Sequence, residues 1–276
     1  MNRILLSALL TISSQLLASE SITEKDIPYR SMCGKAATDP TYFKNFRNIT
    51  EYSHALEIQN GAPFANYLLT QGSPDVMAKL KKFKLLEHVG NPALIYYPFI
   101  GNFSATTLRY IAIADEISKR FELPENAKIV EVGAGFGGQC FILSQLFPFE
   151  KYYIYDLPET NALIGKVMET LAVPNVACMP LNLDLPEEKV DLFISNYAYS
   201  ECDRAVQMDY LERLICKADR GYMIYNHVSH YYSVDSISHL EFVDLLQKNG
   251  IQAEVHGETI PTFESNYLVV WDKTKQ

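Results

Sequence analysis

The sequence lacks the cysteine pattern of a disulfide-stapled or zinc-binding protein. Its 276 residues include five cysteines, an odd number, and no two of them are spaced as C-x-x-C. Neither a disulfide framework nor a zinc site is therefore predicted. No H-x-x-x-H pair and no paired carboxylates stand at predicted strand ends, although folding could gather Asp184, Glu201 and Asp203. We predict that the protein holds no metal ion.

A surplus of positive charge is also missing. Lysine and arginine total 24 against 33 aspartate and glutamate residues, which gives a formal net charge of −9. A protein that binds the phosphate backbone of a nucleic acid needs the opposite balance, so we predict no nucleic-acid partner. Internal repeats and low-complexity tracts are absent too, and the hydrophobic fraction of 48% allows a sizeable core. The oligomeric state is left open.

The first 20 residues resemble a targeting segment. Arg3 precedes an apolar run from Ile4 to Ala18, and the polar residues Ser19 and Glu20 follow. A basic start, a short apolar stretch and a small residue at its end are typical of a secretory signal, which favours export. The alternatives are an N-terminal amphipathic helix or a start site placed too far upstream, and either would leave the protein in the cytoplasm. A membrane-spanning helix needs roughly 20 apolar residues, so no stable span is predicted.

The stretch that bears most directly on function is Lys128–Gln139, which reads K-I-V-E-V-G-A-G-F-G-G-Q. A β-branched run ends in four glycines, at Gly133, Gly135, Gly137 and Gly138, and an apolar stretch follows. This order predicts a strand, a tight turn and a helix. Glycine lets a ligand approach the backbone closely, and the N–H groups at the start of a helix suit an anionic group. We therefore predict a loop that binds a nucleotide-type cofactor.

Two cofactors fit this loop. The spacing Gly133-x-Gly135-x-x-Gly138 satisfies the dinucleotide fingerprint G-x-G-x-x-G. The spacing Glu131-x-Gly133-x-Gly135-x-Gly137 instead fits a loop for S-adenosyl-L-methionine (SAM). A carboxylate at Glu131 would repel a pyrophosphate but could hold the ammonium of a methionine moiety. SAM is thus favoured, and NAD is the alternative.

The order of the predicted elements indicates an α/β fold. From Ser104, which can cap a helix, helices alternate with five strands, at 128–132, 151–155, 176–179, 190–195 and 222–225. Two further strands are predicted at 251–258 and 266–271. Only Thr259–Ser265 separates them, which is too short for a crossover helix, so they should pair antiparallel. This pattern predicts a Rossmann-like class I methyltransferase fold with a seven-stranded, mostly parallel sheet and an antiparallel last strand. Residues 21–103 are expected to form an N-terminal helical cap, and residues 104–276 the SAM-binding domain.

Polar residues follow several predicted strands, at the edge of the sheet where α/β proteins bind ligands. Asp156 comes 23 positions after Gly133, close to the roughly 20 expected for a carboxylate that accepts ribose hydroxyls. The alternative is a carboxylate that is favoured by the dipole at the start of the next helix. Asn182 or Asp184, after the third strand, could bind the exocyclic amine of adenine. Turns also use Asn and Asp for their own hydrogen bonds, which is the alternative for these two residues.

Two residues are candidate general bases for transfer to a hydroxyl acceptor, which must lose its proton. Glu201 follows the fourth predicted strand, and His227 follows the fifth. Histidine is the better match near neutral pH, and His230 is a weaker substitute. A loop histidine bonded only to backbone is the alternative for His227. Alignment of donor and acceptor could supply much of the rate without a base.

Three stretches make the chain resemble a bacterial family of sugar O-methyltransferases. They are S-A-T-T-L-R-Y (Ser104–Tyr110), I-V-E-V-G-A-G-F-G-G-Q (Ile129–Gln139) and D-L-F-I-S-N-Y-A-Y-S-E (Asp191–Glu201). The turn D-L-P-E (Asp156–Glu159) resembles a ribose-binding turn and adds Leu157 to the expected cofactor contacts. The resemblance implies that Glu131, Gly133, Gly135 and Asp156 hold SAM, with Gln139 bracing the loop. The full set of residues expected to contact the cofactor also includes Gly137, Leu157, Asn182, Ser195 and Asn196. The resemblance also implies a transfer site that includes Ser195, Asn196 and Glu201, with Arg109 and Tyr110 near the cofactor or the acceptor.

Together these features predict a SAM-dependent O-methyltransferase that acts on a hydroxyl of a sugar or glycan precursor. Tyr96, Tyr97 and Phe99 could stack on a sugar ring, although aromatic residues more often pack in a core. The alternatives are a methyltransferase of another small acceptor, an NAD-dependent enzyme, or a secreted binding or effector protein that has the fold without catalysis.

Overall fold

The computed structural model describes residues 26–187, 189–227, 229 and 233–275. The segment predicted to be a targeting signal, and His230, lie outside these ranges. Within them no helix is both long and apolar enough to cross a membrane.

The described chain begins with a series of short helices. They are α1 (Asp26–Thr38), α2 (Pro40–Asn45), α3 (Thr50–Leu56), α4 (Ala62–Gln71), α5 (Pro74–Ala78) and α6 (Leu80–Phe83), with 3-10 turns at Phe46–Asn48 and Lys84–His88. Proline opens α2, α4 and α5 within the first two positions, where its missing N–H costs no hydrogen bond. An antiparallel hairpin of β1 (Ile95–Tyr97) and β2 (Gly101–Phe103) follows. The sequence predicted only helices in residues 21–103, so this hairpin was not anticipated.

The remaining elements alternate as predicted. Helix α7 (Ala105–Arg120) begins at Ser104, whose Oγ accepts a hydrogen bond from the N–H of Thr107 at 3.2 Å. The strands are β3 (Ala127–Val132), β4 (Phe149–Tyr155), β5 (Val176–Met179), β6 (Leu192–Asn196), β7 (Arg220–Tyr225), β8 (Ala253–Gly257) and β9 (Tyr267–Asp272). The helices between them are α8 (Gly138–Ser144), α9 (Pro158–Thr170), α10 (Ala198–Glu201), α11 (Arg204–Arg213) and α12 (His239–Lys248), with 3-10 turns at Ile215–Lys217 and Lys273–Lys275.

The large sheet has seven strands in the order β5-β4-β3-β6-β7-β9-β8. Neighbours from β5 to β7 run parallel, and β9 is antiparallel to both β7 and β8. This confirms the predicted mostly parallel sheet with an antiparallel last strand. Counted with β3 as strand 1, the order is 3-2-1-4-5-7-6 with strand 7 antiparallel, which is the Rossmann-like methyltransferase arrangement. A dinucleotide-binding domain has the order 3-2-1-4-5-6 instead. The fourth predicted strand begins later than expected, because Val190 makes only an isolated bridge to Ala218.

Both faces of the sheet are covered, as the continuous apolar strands require. Ile129 on β3 belongs to the cluster beneath α7, α8 and α9, whereas its neighbour Val130 belongs to the cluster beneath α11 and α12. All six residues of β7 are buried. Since most side chains in the middle of the central strands are enclosed, polar groups become accessible mainly where the strands end.

The N-terminal helices are joined to the sheet region by buried polar contacts. The Arg47 side chain is fully enclosed, its Nε lies 2.6 Å from an Oε1 of Glu57, and its Nη1 lies 3.6 Å from Glu87. Its guanidinium carbon is 4.6 Å from the centre of the Phe136 ring, in the middle of the glycine loop. On another side, Arg30 of α1 forms a two-pronged pair with Glu159 of α9. The cap region therefore packs directly against the loop that the sequence singled out.

We expect Arg47→Met to lower the free energy of unfolding by about 3–5 kcal/mol, because it leaves two buried carboxylates without their cation. Arg204→Met is the matched control, since Arg204 also forms a two-pronged pair, with Glu241, but is 41% exposed. The control should cost about 0–1 kcal/mol. Denaturant unfolding followed by circular dichroism measures both losses, and equal values for the two variants would contradict a buried, charge-balancing role for Arg47.

Candidate active site

The glycine loop has a backbone that other residues would not adopt easily. Gly133, Gly135 and Gly137 have φ values of +75°, +62° and +84°. A Cβ at Gly133 would come within 2.0 Å of the Ala198 Cβ, and one at Gly137 within 2.7 Å of the Met168 Cε. The N–H of Gly133 also bonds to the carbonyl of Tyr155 at the end of β4, at 3.0 Å. The predicted strand, turn and helix are confirmed, and the glycines are needed for close contact inside the protein.

A cleft of about 1310 Å³ opens at the carboxyl ends of the parallel strands. It is larger than the range of roughly 300–1,000 Å³ that is usual for small-molecule pockets. The cleft brings together most of the residues that the sequence indicated, namely Glu131, Gly133, Gly135, Asp156, Leu157, Asn182, Asn196, Glu201 and His227. Gly137 and Ser195 do not line it.

Asp156 links the end of β4 to the glycine loop. One carboxylate oxygen accepts a hydrogen bond from the N–H of Leu157 at 2.7 Å, and the other from the N–H of Gly135 at 3.3 Å. Burial raises the pKa of Asp156 to about 6, and the backbone N–H groups that bond to it oppose the rise. The carboxylate is thus fixed at the wall of the cleft in one orientation.

Glu131 is a buried carboxyl at the end of β3, with 2% of its surface exposed. The hydroxyl of Tyr152 donates to its Oε2 at 2.8 Å. Burial raises the pKa of Glu131 to about 8, and the nearby negative charge of Asp156 adds to the rise. The carboxyl is therefore mostly protonated at neutral pH in these surroundings, and a cation brought next to it would favour the carboxylate.

The end of β6 carries the most unusual local structure of the cleft. Tyr197 has a φ of +74°, which is rare for a residue with a side chain. Ser195 beside it donates to the carbonyl of Val132 at 3.0 Å and accepts from the N–H of Tyr199 at 3.1 Å. Ser195 therefore connects the ends of β3 and β6 with the start of α10. Because its hydroxyl makes these internal hydrogen bonds, it does not line the cleft.

Asn196 presents an amide that the described residues leave unsatisfied. Both its Oδ1 and its Nδ2 are enclosed, and neither has a hydrogen-bond partner, although the residue lines the cleft. Buried polar atoms in proteins are almost always paired. The amide therefore suits a ligand that offers both a donor and an acceptor.

The two candidate bases lie on the same side of the cleft. Glu201, at the end of α10, accepts a hydrogen bond from the Nδ2 of Asn226 at 2.6 Å. His227 follows β7, and its ring centre lies 5.7 Å from that of His239 and 5.8 Å from that of Tyr267. Both bases are thus near the carboxyl ends of adjacent strands, β6 and β7. Within the described ranges no three His, Cys, Asp or Glu side chains are grouped as metal ligands would be.

Part of the cleft wall was not predicted from the sequence. It comes from the N-terminal helices and from the loop between β8 and β9, and includes Thr50, Glu51, His54, Leu56, Ile58, Thr262, Phe263 and Asn266. No motif marks these residues, because they reach the cleft only through long-range packing. The aromatic residues proposed for stacking lie elsewhere: Tyr96 and Phe99 are 68% and 91% exposed, and neither they nor Tyr97 line the cleft.

Similarity to known proteins is found at the level of three-dimensional structure. No protein-family model matches the chain, and no curated protein matches it in sequence. Among solved structures, it is similar to a SAM-dependent methyltransferase from Aquifex aeolicus (18% identity, 71% of this chain and 96% of that one, TM-score 0.44). It is also similar to a geranyl diphosphate C-methyltransferase from Streptomyces coelicolor, in complex with S-adenosyl-L-homocysteine (15%, 61% and 81%, TM-score 0.49). A third is an rRNA methylase from Streptococcus thermophilus (16%, 58% and 93%, TM-score 0.44).

Gly133→Ala should destabilise the protein by at least about 1 kcal/mol, because a side chain is disfavoured at positive φ and would collide with Ala198. Gly165→Ala is the control. Gly165 lies in α9 with no atom within 4 Å of an added Cβ, so alanine should be neutral or stabilise the helix. Thermal unfolding of both variants is the measurement, and an unchanged midpoint for Gly133→Ala would contradict the structure of the loop.

Glu131→Gln should become more stable than the wild type as pH rises. Glu131 keeps its proton up to about pH 8 in the folded protein and loses it near its ordinary value when unfolded. Between these two pKa values the folded state binds more protons than the unfolded state. The wild type therefore loses stability as pH increases. Denaturant unfolding at pH 5, 7 and 8.5 measures the free energy of unfolding of both proteins. The difference between Glu131→Gln and the wild type should grow with pH, and a constant difference would rule out the raised pKa.

Proposed function

We propose that this protein is a SAM-dependent methyltransferase that transfers a methyl group to a hydroxyl of a sugar or glycan precursor. The observation that carries the proposal is the convergence of Glu131, the glycine loop and Asp156 in one cleft with Glu201 and His227. A donor site and a site for proton removal would then share one wall.

The residues present fit the cofactor in three places. Asp156, fixed by two backbone N–H groups, suits the ribose hydroxyls, and Leu157 would lie against the same moiety. Asn182 lines the cleft beyond β5 and would bond to the adenine. Glu131 would accept the ammonium of the methionine end, and its raised pKa would fall as that cation approaches. Bound SAM would supply an electrophilic methyl group.

Two side chains would receive the proton that the acceptor hydroxyl gives up. Glu201 is exposed, lines the cleft and accepts a hydrogen bond from the Nδ2 of Asn226, so it is the first candidate. His227, which follows the adjacent strand β7 and lines the same cleft, is the second candidate. The unsatisfied amide of Asn196 would bond to polar groups near the transfer site.

A sugar acceptor is supported by the resemblance of the sequence and by the polar wall of the cleft, which includes Thr50, His54, Thr262 and Asn266. Another small acceptor, such as a phenol, is the second candidate, because Phe263 and Leu56 add apolar surface to the same wall. A binding protein without catalysis is a third possibility, and only an activity assay separates it from the first two.

We expect the purified protein to transfer labelled methyl groups from SAM to a member of a panel of sugar nucleotides and lipopolysaccharide fragments. With that acceptor, His227→Ala or Glu201→Gln should lower kcat by about 10²–10⁴-fold, the usual contribution of a general base. Arg120→Gln, on α7 outside the cleft, is the control for nonspecific damage.

If both variants keep wild-type turnover, neither residue is the base. If the panel gives no transfer but phenols or carboxylates do, the sugar assignment is wrong and the methyltransferase assignment stands. If no acceptor is methylated and SAM does not bind, the proposed function fails.

A further inference from the structure

The hairpin formed by β1 and β2 carries an apolar surface that the rest of the described chain leaves uncovered. Tyr97 and Phe103 are buried in the core and anchor the hairpin. Ten large apolar side chains of the described residues are exposed, and half of them lie in or just before this hairpin: Leu85, Leu94, Ile95, Tyr96 and Phe99. Single exposed apolar residues are common on proteins, but a group of this size usually marks a binding surface.

The tip of the hairpin places Phe99 where folding alone would not favour it. The N–H of Ile100 donates to the carbonyl of Tyr97 at 3.1 Å, which closes a turn with Pro98 second and Phe99 third. Phe99 has a φ of +66°, and the third position of a turn with positive φ suits Gly or Asn. A bulky side chain is strained there, and the Phe99 ring is 91% exposed, so burial does not offset the strain. The ring is therefore available to a partner.

The segment before the hairpin is basic, although the protein as a whole is acidic. Residues 76–108 contain four lysines and a single acidic residue, Glu87, which is buried beside Arg47. The lysines are Lys79, Lys81, Lys82 and Lys84. The last three are exposed, and whereas lysines elsewhere in the described chain form ion pairs, none of these four does. In a protein with a formal net charge of −9, this local surplus of positive charge is available to an anionic partner.

The basic segment and the hairpin adjoin in the fold. Glu87 accepts a hydrogen bond from the N–H of Ser104 at 2.9 Å. Ser104 directly follows β2, and Glu87 shares its 3-10 turn with Lys84 and Leu85, so the base of the hairpin contacts the basic turn. We call residues 79–85 together with 94–99 the hairpin patch. None of these residues lines the cleft, so the patch is separate from the proposed active site.

We propose that the hairpin patch docks on the surface of an anionic membrane. The rings of Tyr96 and Phe99 would enter the headgroup region, and the lysines would lie against the charged groups of the lipids. Binding of this kind combines buried apolar area with attraction between basic residues and anionic lipids. The protein would lie on the membrane without crossing it. The proposal does not depend on the proposed function, because it uses no residue of the cleft.

Two other partners fit the patch less well. Two copies of this chain that met through it would bring two sets of lysines together, and like charges at an interface oppose association. A nucleic acid would attract the lysines, but its phosphate backbone offers no apolar environment to Leu94 and Ile95. A membrane surface suits both the charged and the apolar side chains.

The test is sedimentation of the full chain with phospholipid vesicles. One set of vesicles is phosphatidylcholine alone, and the other contains about 30% phosphatidylserine, which gives the surface a negative potential. Each set is measured at about 0.1 M and about 0.5 M salt, because salt screens the attraction between charges. All proteins carry the same N-terminal residues, so a difference between a variant and the wild type belongs to the patch.

The wild type should bind the phosphatidylserine vesicles, and the binding should weaken at the higher salt concentration. Phe99→Gly removes the ring and the strain at positive φ, so it should bind about tenfold more weakly while unfolding at the same or a higher temperature. Lys81→Gln/Lys82→Gln should bind about thirtyfold more weakly, roughly fivefold for each basic residue near the surface.

Each variant has a matched control on another part of the molecule. Leu240→Ser removes an exposed apolar side chain of α12, and Lys189→Gln/Lys248→Gln removes two exposed lysines outside the patch. Both controls should bind the vesicles as the wild type does. Undiminished binding by both patch variants, or an equal loss in the controls, would overturn the proposal.

Two further outcomes would also overturn it. Equal binding to both sets of vesicles at both salt concentrations would exclude an anionic surface as the partner. An absence of vesicle binding by the wild type would exclude a membrane altogether. In that case, a dimer that Phe99→Gly dissociates in sedimentation equilibrium would assign the patch to contact between two copies of the chain.

Discussion

The stack of the Arg47 guanidinium on the Phe136 ring is the contact on which the site depends. Phe136 lies between Gly135 and Gly137, so fixing its ring restricts a loop that is otherwise made of flexible residues. Glu57 and Glu87 balance the buried charge, and Glu87 also accepts the N–H of Ser104 at 2.9 Å. Ser104 begins α7, the helix that carries Arg109. One buried network therefore positions the glycine loop, the N-terminal helices and the first residues of α7.

Burial also sets the charges inside the cleft. Glu131 and Asp156 have raised pKa values because the protein encloses them, yet both stay at the cleft wall, where a ligand can change their surroundings. A cation next to Glu131 would offset the cost of ionising it. The same enclosure leaves the amide of Asn196 and the Nε of Arg109 without partners. Burying these polar atoms without hydrogen-bond partners costs free energy, and a complementary ligand would offset that cost by supplying the missing hydrogen bonds.

The sequence predicted what depends on local pattern. Glycine spacing and β-branched runs predicted the loop and the parallel strands, and the short link at Thr259–Ser265 predicted the antiparallel pairing of β8 and β9. It could not place β9 between β7 and β8, because strand order is decided by long-range pairing. For the same reason it missed the cap residues that line the cleft. Tyr96 and Phe99 were misjudged because aromatic composition does not tell which way a hairpin points.

Hydrogen–deuterium exchange with and without S-adenosyl-L-homocysteine tests most directly whether the loop and the cap form one donor site. We predict slower exchange on binding in peptides that cover residues 131–139 and 156–161, and also in α3, which borders the cleft. NADH at the same concentration should protect none of them. Protection confined to the loop would contradict a site closed by the N-terminal helices, and protection by NADH alone would contradict the choice of cofactor.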